Sequence, residues 1–279
     1  MNLFLISISG EKRIPEKTLD LIKFVKVLGL YRVFGNDLRS LDQREIKVNY
    51  KLNLAEFVVG GAISTGELGC LLSHQEIYKY MVDENISEAL ILEDDAELTV
   101  SLEDLLRILG LCRQSDFDLV NLHPALGGVM VQKNSNELLT SIVPSLSAFS
   151  YWINLKGARN LLSNKREPLG LADWPIQISK IRNGGTRKNI FIHSGATNSI
   201  IQETLAIHAK NRINIYYRPF TELVKFRSLY TLLQLIREVG IQVVIKSILF
   251  MRVYRRFAKL VKRRKSKDNS SVILHLFWR

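Results

Sequence analysis

The sequence predicts an α/β fold, and three observations carry that expectation. Short apolar runs alternate with segments of helical spacing along most of the chain. One such run, Ala89-Leu90-Ile91-Leu92, passes directly into the acidic triplet Glu93-Asp94-Asp95, as at the mouth of a buried strand. The length of 279 residues is enough for one sizeable core plus an appendage.

Taken in order, residues 3–8 read as a first buried strand. The N-terminus is apolar but lacks a basic leader and a clear cleavage site, so a strand fits better than a signal peptide. Residues 10–15 form a loop. Residues 16–28 have helical spacing, with Leu19, Leu21, Ile22 and Val25 on one face. A second strand spans 31–34 and is closed by the turn residues Gly35-Asn36-Asp37. Thr65 precedes a helix over about 66–84, whose apolar face carries Leu68, Leu71, Leu72, Ile77, Tyr80 and Met81. The strand at 89–92 follows. Residues 102–111 read as a helix, 117–122 as a buried strand, 147–153 as extended, 156–163 as a helix, and 174–181 as a short helix after Asp173. Residues 190–193 are a short apolar run before a loop.

The net charge of +12 is unevenly placed. Residues 218–279 hold 15 Lys and Arg against three Asp and Glu, so the whole net charge lies there and residues 1–217 form a neutral body. This division sets the expected domains: a body, 1–217, and a basic helical tail, 218–279. Such a tail suits an anionic partner: lipid headgroups, nucleic acid or an acidic protein. Within it, Arg252, Arg256, Lys259 and Arg263 step along one helical face, and Leu249, Phe250, Val253, Phe257, Leu260 and Val261 fall on the other. Lys246 and Arg252 keep the apolar run short of the ~18–20 residues that span a bilayer. The pattern suits a helix lying on an anionic membrane surface through residues 241–265; a helix docked on the body with a solvated basic face is the alternative. Few aromatics are interleaved in the tail and the body carries no recognisable nucleic-acid module, so no nucleic-acid partner is expected. The two cysteines, Cys70 and Cys112, have no paired spacing. They suggest neither a disulfide framework nor a thiolate metal site, and they fit a reducing compartment. Cys70 reads as a small buried residue rather than a nucleophile.

The acidic triplet is the main chemical signal. Adjacent carboxylates repel unless a cation or solvent separates them. A hard divalent cation such as Mg²⁺ or Mn²⁺ prefers such oxygens and shares them with phosphates. The plain alternative is an acidic turn after a strand. Ligands of open α/β sheets sit beyond the carboxyl ends of the strands, which is where the triplet falls. If the triplet is extended, Glu93 and Asp95 share a face.

Two segments together carry a resemblance: Thr65-Gly66-Glu67-Leu68-Gly69-Cys70-Leu71-Leu72-Ser73-His74 and Ala89-Leu90-Ile91-Leu92-Glu93-Asp94-Asp95. In this order and separation they resemble the motifs of glycosyltransferase family 25, which includes the lipooligosaccharide galactosyltransferases of Gram-negative bacteria. Phe117-Asp118-Leu119-Val120-Asn121-Leu122, Ser150-Tyr151-Trp152-Ile153-Asn154-Leu155-Lys156-Gly157-Ala158 and the stretch from Pro168 to Trp174 are similar to later family segments. The likeness covers about residues 1–199. Ser9-Gly10-Glu11-Lys12-Arg13 only partly matches the family's Arg-rich loop, and Gly35-Asn36-Asp37 is a loose version of its Asp-Gly turn.

The resemblance implies a GT-A-like, Rossmann-type sandwich with the basic amphipathic tail appended. It implies transfer of a hexose, galactose or glucose, from a UDP-sugar to a lipid-linked oligosaccharide, the core of lipooligosaccharide or lipopolysaccharide, with inversion and with Mn²⁺ or Mg²⁺. Asp95 is then the main metal ligand, and Glu93 or Asp94 meets the donor ribose or a metal-bound water. Glu93 and His193 are further candidate ligands, His193 with a structural role as the alternative. Glu67, Ser73 and His74 would lie on the donor side, or else cap and cross-link the fold. Asp173 is the candidate base for the acceptor hydroxyl, beside Trp174 whose ring suits a sugar face; the same Asp also reads as an N-cap with Pro175 in the first turn. His123 ends another strand and is left open. The expected location is cytoplasmic, peripheral on the inner face of the bacterial inner membrane. Two other readings stand beside this one: a non-catalytic membrane-surface adaptor that keeps the fold, and a nucleic-acid-binding protein acting through its basic tail.

Overall fold

A computed structural model of the chain describes residues 1–50, 52, 56, 63–123, 129–131, 137–143, 148–162, 172, 181–194 and 272–274. Strands β1 (Asn2–Ile6), β2 (Leu30–Phe34) and β3 (Glu88–Glu93) are mutually parallel, with β1 between the other two. Parallel strands covered on both faces read as continuous apolar runs. That is the pattern of Leu3 to Ile6 and of Ala89 to Leu92, all buried.

Alternate residues of these strands feed two cores. Leu3, Leu5, Leu90 and Leu92 meet Leu21, Ile22 and Val25 of helix α1 (Glu16–Leu28). A further short helix, α2, spans Gln43–Tyr50. On the opposite face of the sheet, Phe4, Ile6, Ala89 and Ile91 meet Ile77, Tyr78 and Met81 of helix α3 (Thr65–Asp83). Helix α4 (Leu102–Gln114) joins the first core through Leu105, Ile108 and Leu109. Helix α5 (Leu155–Leu161) joins the second through Ala158 and Leu161. The result is a sheet between helical layers, as the alternation of elements implies.

Beyond β3 the sheet becomes mixed. A two-stranded ribbon pairs β4 (Ala96–Leu98) with a later strand, and the main sheet continues through β5 (Leu119–Asn121), β6 (Val129–Val131), β7 (Leu138–Val143), β8 (Ser150–Asn154) and β9 (Asn183–Thr186). The ribbon partner is β10 (Phe191–His193), antiparallel to β4. The last strand is β11 (Val272–Leu274). The nine-stranded order is β11-β6-β7-β9-β5-β8-β3-β1-β2, with β8 antiparallel to both β3 and β5.

Helix α1 matches its expected bounds. Helix α3 begins one residue earlier than its spacing implies, because Ser64 rather than Thr65 caps it. The Ser64 hydroxyl accepts from the Glu67 N–H at 3.2 Å, and the Glu67 carboxylate accepts from the Ser64 N–H at 2.9 Å. Such a box satisfies two otherwise orphaned donors. Replacing Ser64 by Ala therefore lowers folding stability by about 1 kcal/mol, read from the midpoint of urea unfolding.

Helix α2, the β4–β10 ribbon and strands β6, β7, β9 and β11 were not anticipated. Strand β9 reads Asn-Gly-Gly-Thr, a poor strand composition. The structure supplies the reason: a Cβ at Gly184 would stand 2.8 Å from the Phe117 ring. Close approach, not propensity, selects glycine there. The helix expected at 174–181, apart from Ile181, and the amphipathic helix expected at 241–263 lie outside the described residues. Of the expected tail only residues 272–274 are described, and they pair parallel with β6. Among the described residues no helix is long and apolar enough to cross a membrane.

Candidate active site

The carboxyl ends of β1, β2 and β3 converge on one cleft. Each end contributes a short polar segment: Ser7 after β1, Gly35-Asn36-Asp37 after β2, and Glu93-Asp94-Asp95 at and beyond the end of β3. Two glycines allow the segments to close up. A Cβ at Gly35 would lie 2.3 Å from the Ser7 carbonyl oxygen, and one at Gly69 of α3 would lie 2.4 Å from that of Asn36. No side chain larger than hydrogen fits at either position without moving backbone.

The triplet is not extended throughout. Glu93 closes β3, Asp94 and Asp95 form a turn, and β4 starts at Ala96. The alternation expected for a strand therefore does not apply, and each acid meets a different set of partners. The Glu93 carboxylate faces α3, where Cys70 Sγ and His74 Nε2 each approach its Oε1 to 3.5 Å. Asp94 Oδ2 accepts from the Ser7 hydroxyl at 2.7 Å. Burial raises the Asp94 pKa, and the charges of Asp95 and Glu93 raise it further; the Ser7 hydrogen bond and the Arg13 charge oppose them. Asp95 Oδ2 lies 3.0 Å from His193 Nδ1. Its Oδ1 is buried with no hydrogen-bond partner among the described residues. All three acids line the cleft, along with Arg13, Arg39 and Ser73. Arg39 is paired with Asp37, whose carboxyl it holds down at about 2.

The other expected site residues fall in distinct places. Ser73 is on the cleft wall: its hydroxyl accepts from the Asn36 N–H at 3.0 Å and donates to the Gly69 carbonyl at 2.8 Å. Glu67 and His74 are buried behind the wall. Glu67 closes the capping box with Ser64. The ring of His74 bridges Glu93 and Tyr151, with Nδ1 2.7 Å from the Tyr151 hydroxyl, which in turn lies 2.8 Å from that of Tyr78. The β4–β10 ribbon brings His193 onto Asp95, and the His193 ring stacks on Phe149 at 3.9 Å. His123 turns inward: its Nδ1 donates to the Phe191 carbonyl at 2.7 Å, and burial lowers its pKa. Asp173 lies outside the described residues.

Ser7, Arg13, Asn36, Arg39 and Tyr151 were not singled out from the sequence. The rule that put ligands beyond the end of β3 applies equally to β1 and β2, and it would have pointed to Ser7 and Asn36.

The acids fit a hard divalent cation by the chemistry of their donors. Asp94 and Asp95 offer their carboxylate oxygens within one turn, one of them buried and unpartnered among the described residues, and Ser7 and His193 hold them, whereas Glu93 faces α3. Among the described residues the three ligand atoms that lie within 4.8 Å of one another belong to Cys70, His74 and Glu93, so the expected set of Asp95, Glu93 and His193 is not brought together within that distance.

Comparison with known proteins bears on the same segments. The sequence model of the family described as "Glycosyltransferase family 25 (LPS biosynthesis protein)" matches residues 31–173, just over half of the chain. The chain is similar to procollagen galactosyltransferase 1-B of Xenopus laevis, 32% identical over 149 residues, which is 50% of this chain and 23% of that protein. It is similar to a glycosyltransferase 25 family member of Drosophila melanogaster, 28% identical over 177 residues, 58% of this chain and 28% of that protein. It also matches a Bos taurus protein named "Probable inactive glycosyltransferase 25 family member 3", 26% identical over 176 residues, 58% of this chain and 29% of that protein. The chain thus spans less than a third of the length of these curated relatives. The matched span of the family model takes in the Asn36 turn, the first half of α3 and the acidic triplet, the segments that build most of the cleft, and on that match the chain belongs to glycosyltransferase family 25.

Proposed function

We propose that this protein is a metal-dependent, inverting glycosyltransferase that moves a hexose, galactose or glucose, from a UDP-sugar to a lipooligosaccharide or lipopolysaccharide core. The observation that carries the reading is the meeting of Glu93, Asp94 and Asp95 with Ser7 and Arg13 in one cleft, at the ends of three parallel strands. The names of the galactosyltransferase relatives support the hexose, and the family's description as an LPS biosynthesis protein supports the acceptor.

Asp95, Glu93 and His193 would hold Mn²⁺ or Mg²⁺. When bound, the cation offsets negative charge on the departing diphosphate. The chain's own residues do the rest. Ser7 fixes the Asp94 carboxylate, which would meet the donor ribose or a metal-bound water. Arg13 adds a fixed positive charge to the cleft wall. The first residues of α3, Ser64 to Gly66, line the same cleft, and the positive end of that helix favours an anionic donor. Gly69 and Ser73 hold the Asn36 turn against α3 and so fix the width of the site. Asp173 takes the acceptor hydroxyl proton as that oxygen attacks the anomeric carbon.

A panel of UDP-sugars with Mn²⁺, read as UDP release with and without truncated lipooligosaccharide, tests this. Turnover with UDP-galactose or UDP-glucose, abolished by EDTA and increased by the acceptor, is the expected result. Turnover with procollagen but not with lipooligosaccharide would replace the acceptor. No turnover with any nucleotide sugar would favour the second reading, a non-catalytic membrane adaptor, for which the name of the bovine relative is the supporting observation.

In this reading the basic amphipathic pattern of residues 241–265 suits binding at the cytoplasmic face of the inner membrane, near a lipid-linked acceptor. Each basic residue at an anionic surface contributes up to about 1 kcal/mol. Changing Arg252, Arg256, Lys259 and Arg263 together to Glu lowers co-sedimentation with phosphatidylglycerol vesicles at least about tenfold. Added salt weakens binding of the native chain in the same assay. Equal binding by both chains would remove the tail from the account.

A further inference from the structure

The sequence suggests no thiolate metal site, since Cys70 and Cys112 have no paired spacing. The fold nevertheless brings one cysteine into a group of ligands. Cys70 and His74 sit four residues apart on α3, so they share one helical face. Glu93, at the end of β3, faces them. One ligand atom from each of Cys70, His74 and Glu93 lies within 4.8 Å of the other two.

We propose that Cys70, His74 and Glu93 form a binding site for a thiolate-preferring divalent cation, Zn²⁺ or its analogue Co²⁺, which shares Glu93 with the proposed oxygen cluster at Asp95 but differs from it in carrying a thiolate. Four features carry it. First, the spacing fits. Tetrahedral Zn²⁺ with its usual bonds to sulfur, nitrogen and oxygen separates neighbouring ligand atoms by about 3.3–3.6 Å. Cys70 Sγ and His74 Nε2 both lie 3.5 Å from Glu93 Oε1. The histidine distance is long for an N–H···O hydrogen bond and the sulfur distance is ordinary for an S–H···O contact, and both are close to the separation a shared ion imposes.

Second, the histidine is already oriented. His74 is 1% exposed, and its Nδ1 is held 2.7 Å from the Tyr151 hydroxyl, which leaves Nε2 directed at Glu93. A metal-bound histidine is commonly fixed by a hydrogen bond from its other ring nitrogen. The Tyr151 hydroxyl is itself tied to that of Tyr78. Third, an ion has a way in: Cys70 and Glu93 both line the open cleft, while His74 closes the site from behind. Fourth, the donor set is selective. A thiolate and an imidazole favour Zn²⁺ over Mg²⁺ or Mn²⁺. Three protein ligands beside an open cleft leave the fourth position to water. As the sulfur–metal bond forms, the Cys70 thiol releases its proton to solvent. Bound Zn²⁺ then links α3 to the end of β3 directly.

Co²⁺ titration of the full-length protein under reducing conditions tests the site without recourse to activity. The native chain is expected to give a thiolate-to-cobalt charge-transfer band and tetrahedral d–d absorption at one equivalent, both displaced by Zn²⁺. Cys70→Ser abolishes the charge-transfer band. Cys112→Ser, which changes the other cysteine in the chain, keeps it. Asp95→Asn also keeps it, which separates this site from the oxygen cluster and its fate from that of the proposed transferase. Tyr151→Phe keeps the band but weakens Co²⁺ binding about 10–100-fold, because it removes the group that orients His74. A band absent from the native chain, retained in Cys70→Ser, or lost in Cys112→Ser would overturn the proposal. Should Cys70→Ser fail to fold, Glu93→Gln decides the matter through the charge-transfer band, which only a thiolate-bound cation gives: the Co²⁺ concentration that half-saturates the band is expected to rise at least about tenfold, and an unchanged value would count against the site.

Discussion

Under the proposed function, Asp95→Asn lowers glycosyl transfer by at least about 10²–10³-fold while the protein stays folded. The expectation rests on what Asp95 costs the fold. Its Oδ1 is buried with no partner among the described residues. A buried polar group left unsatisfied costs about 1–3 kcal/mol, and more if charged. Such a group persists in a native structure where it serves something other than stability. Asparagine has the same shape and can still accept from His193 Nδ1, which lies 3.0 Å from Oδ2 in the native protein. It lacks the charge that a divalent cation requires. The substitution exchanges one unpartnered buried atom for another, so its effect on folding is small beside its effect on transfer. UDP release and thermal melting, measured on one preparation, check both halves. Full activity in the variant would remove Asp95 from the ligand set. A collapse of the melting temperature would make its role structural.

Gly69→Ala destabilises the fold by about 1–3 kcal/mol and weakens donor binding. The new Cβ would stand 2.4 Å from the Asn36 carbonyl oxygen, which is backbone and cannot swing aside as a flexible side chain would. Either α3 or the Asn36 turn must move. Movement stretches the bond from the Asn36 N–H to Ser73, 3.0 Å long in the native protein, and displaces Asp37 and Arg39 from the cleft wall. Urea unfolding reads the first effect and the KM for the nucleotide-sugar donor reads the second. Gly110→Ala is the control. It too lies inside a helix, but a Cβ there meets nothing within 4 Å. Relief of the glycine penalty stabilises that variant by roughly 0.5–1 kcal/mol. If Gly69→Ala behaved like Gly110→Ala, the close approach would not be what sets the cleft.

Much of the scaffold was legible from local pattern. Helix α1 has its expected bounds, because apolar residues at helical spacing and the flanking Pro15 and Gly29 state both its face and its ends. The runs in β1 and β3 were legible because a strand buried on both faces has no polar positions to interrupt it. The acidic triplet was placed correctly at the end of β3. The shape of the triplet was not legible: whether Asp94 and Asp95 continue the strand or turn depends on the pairing of β4 with β10, which lies far along the chain. Strand β9 was missed because Gly184 answers to the Phe117 ring, a neighbour that no local window contains.

The sequence by itself determined the alternating layers, the two-sided burial of β1 and β3, the acidic run at a strand mouth and the uneven charge, neutral over residues 1–217 and basic over 218–279. These are consequences of periodicity and composition, which act over a few residues. Only the tertiary structure decided which side chains share the cleft. Parallel pairing of β1, β2 and β3 carries Ser7, Asn36 and the triplet to one edge, the β4–β10 ribbon carries His193 onto Asp95, and α3 presents Cys70 and His74 to Glu93. Those contacts join residues distant in sequence, and strand order and close backbone packing, rather than any local preference, fix them.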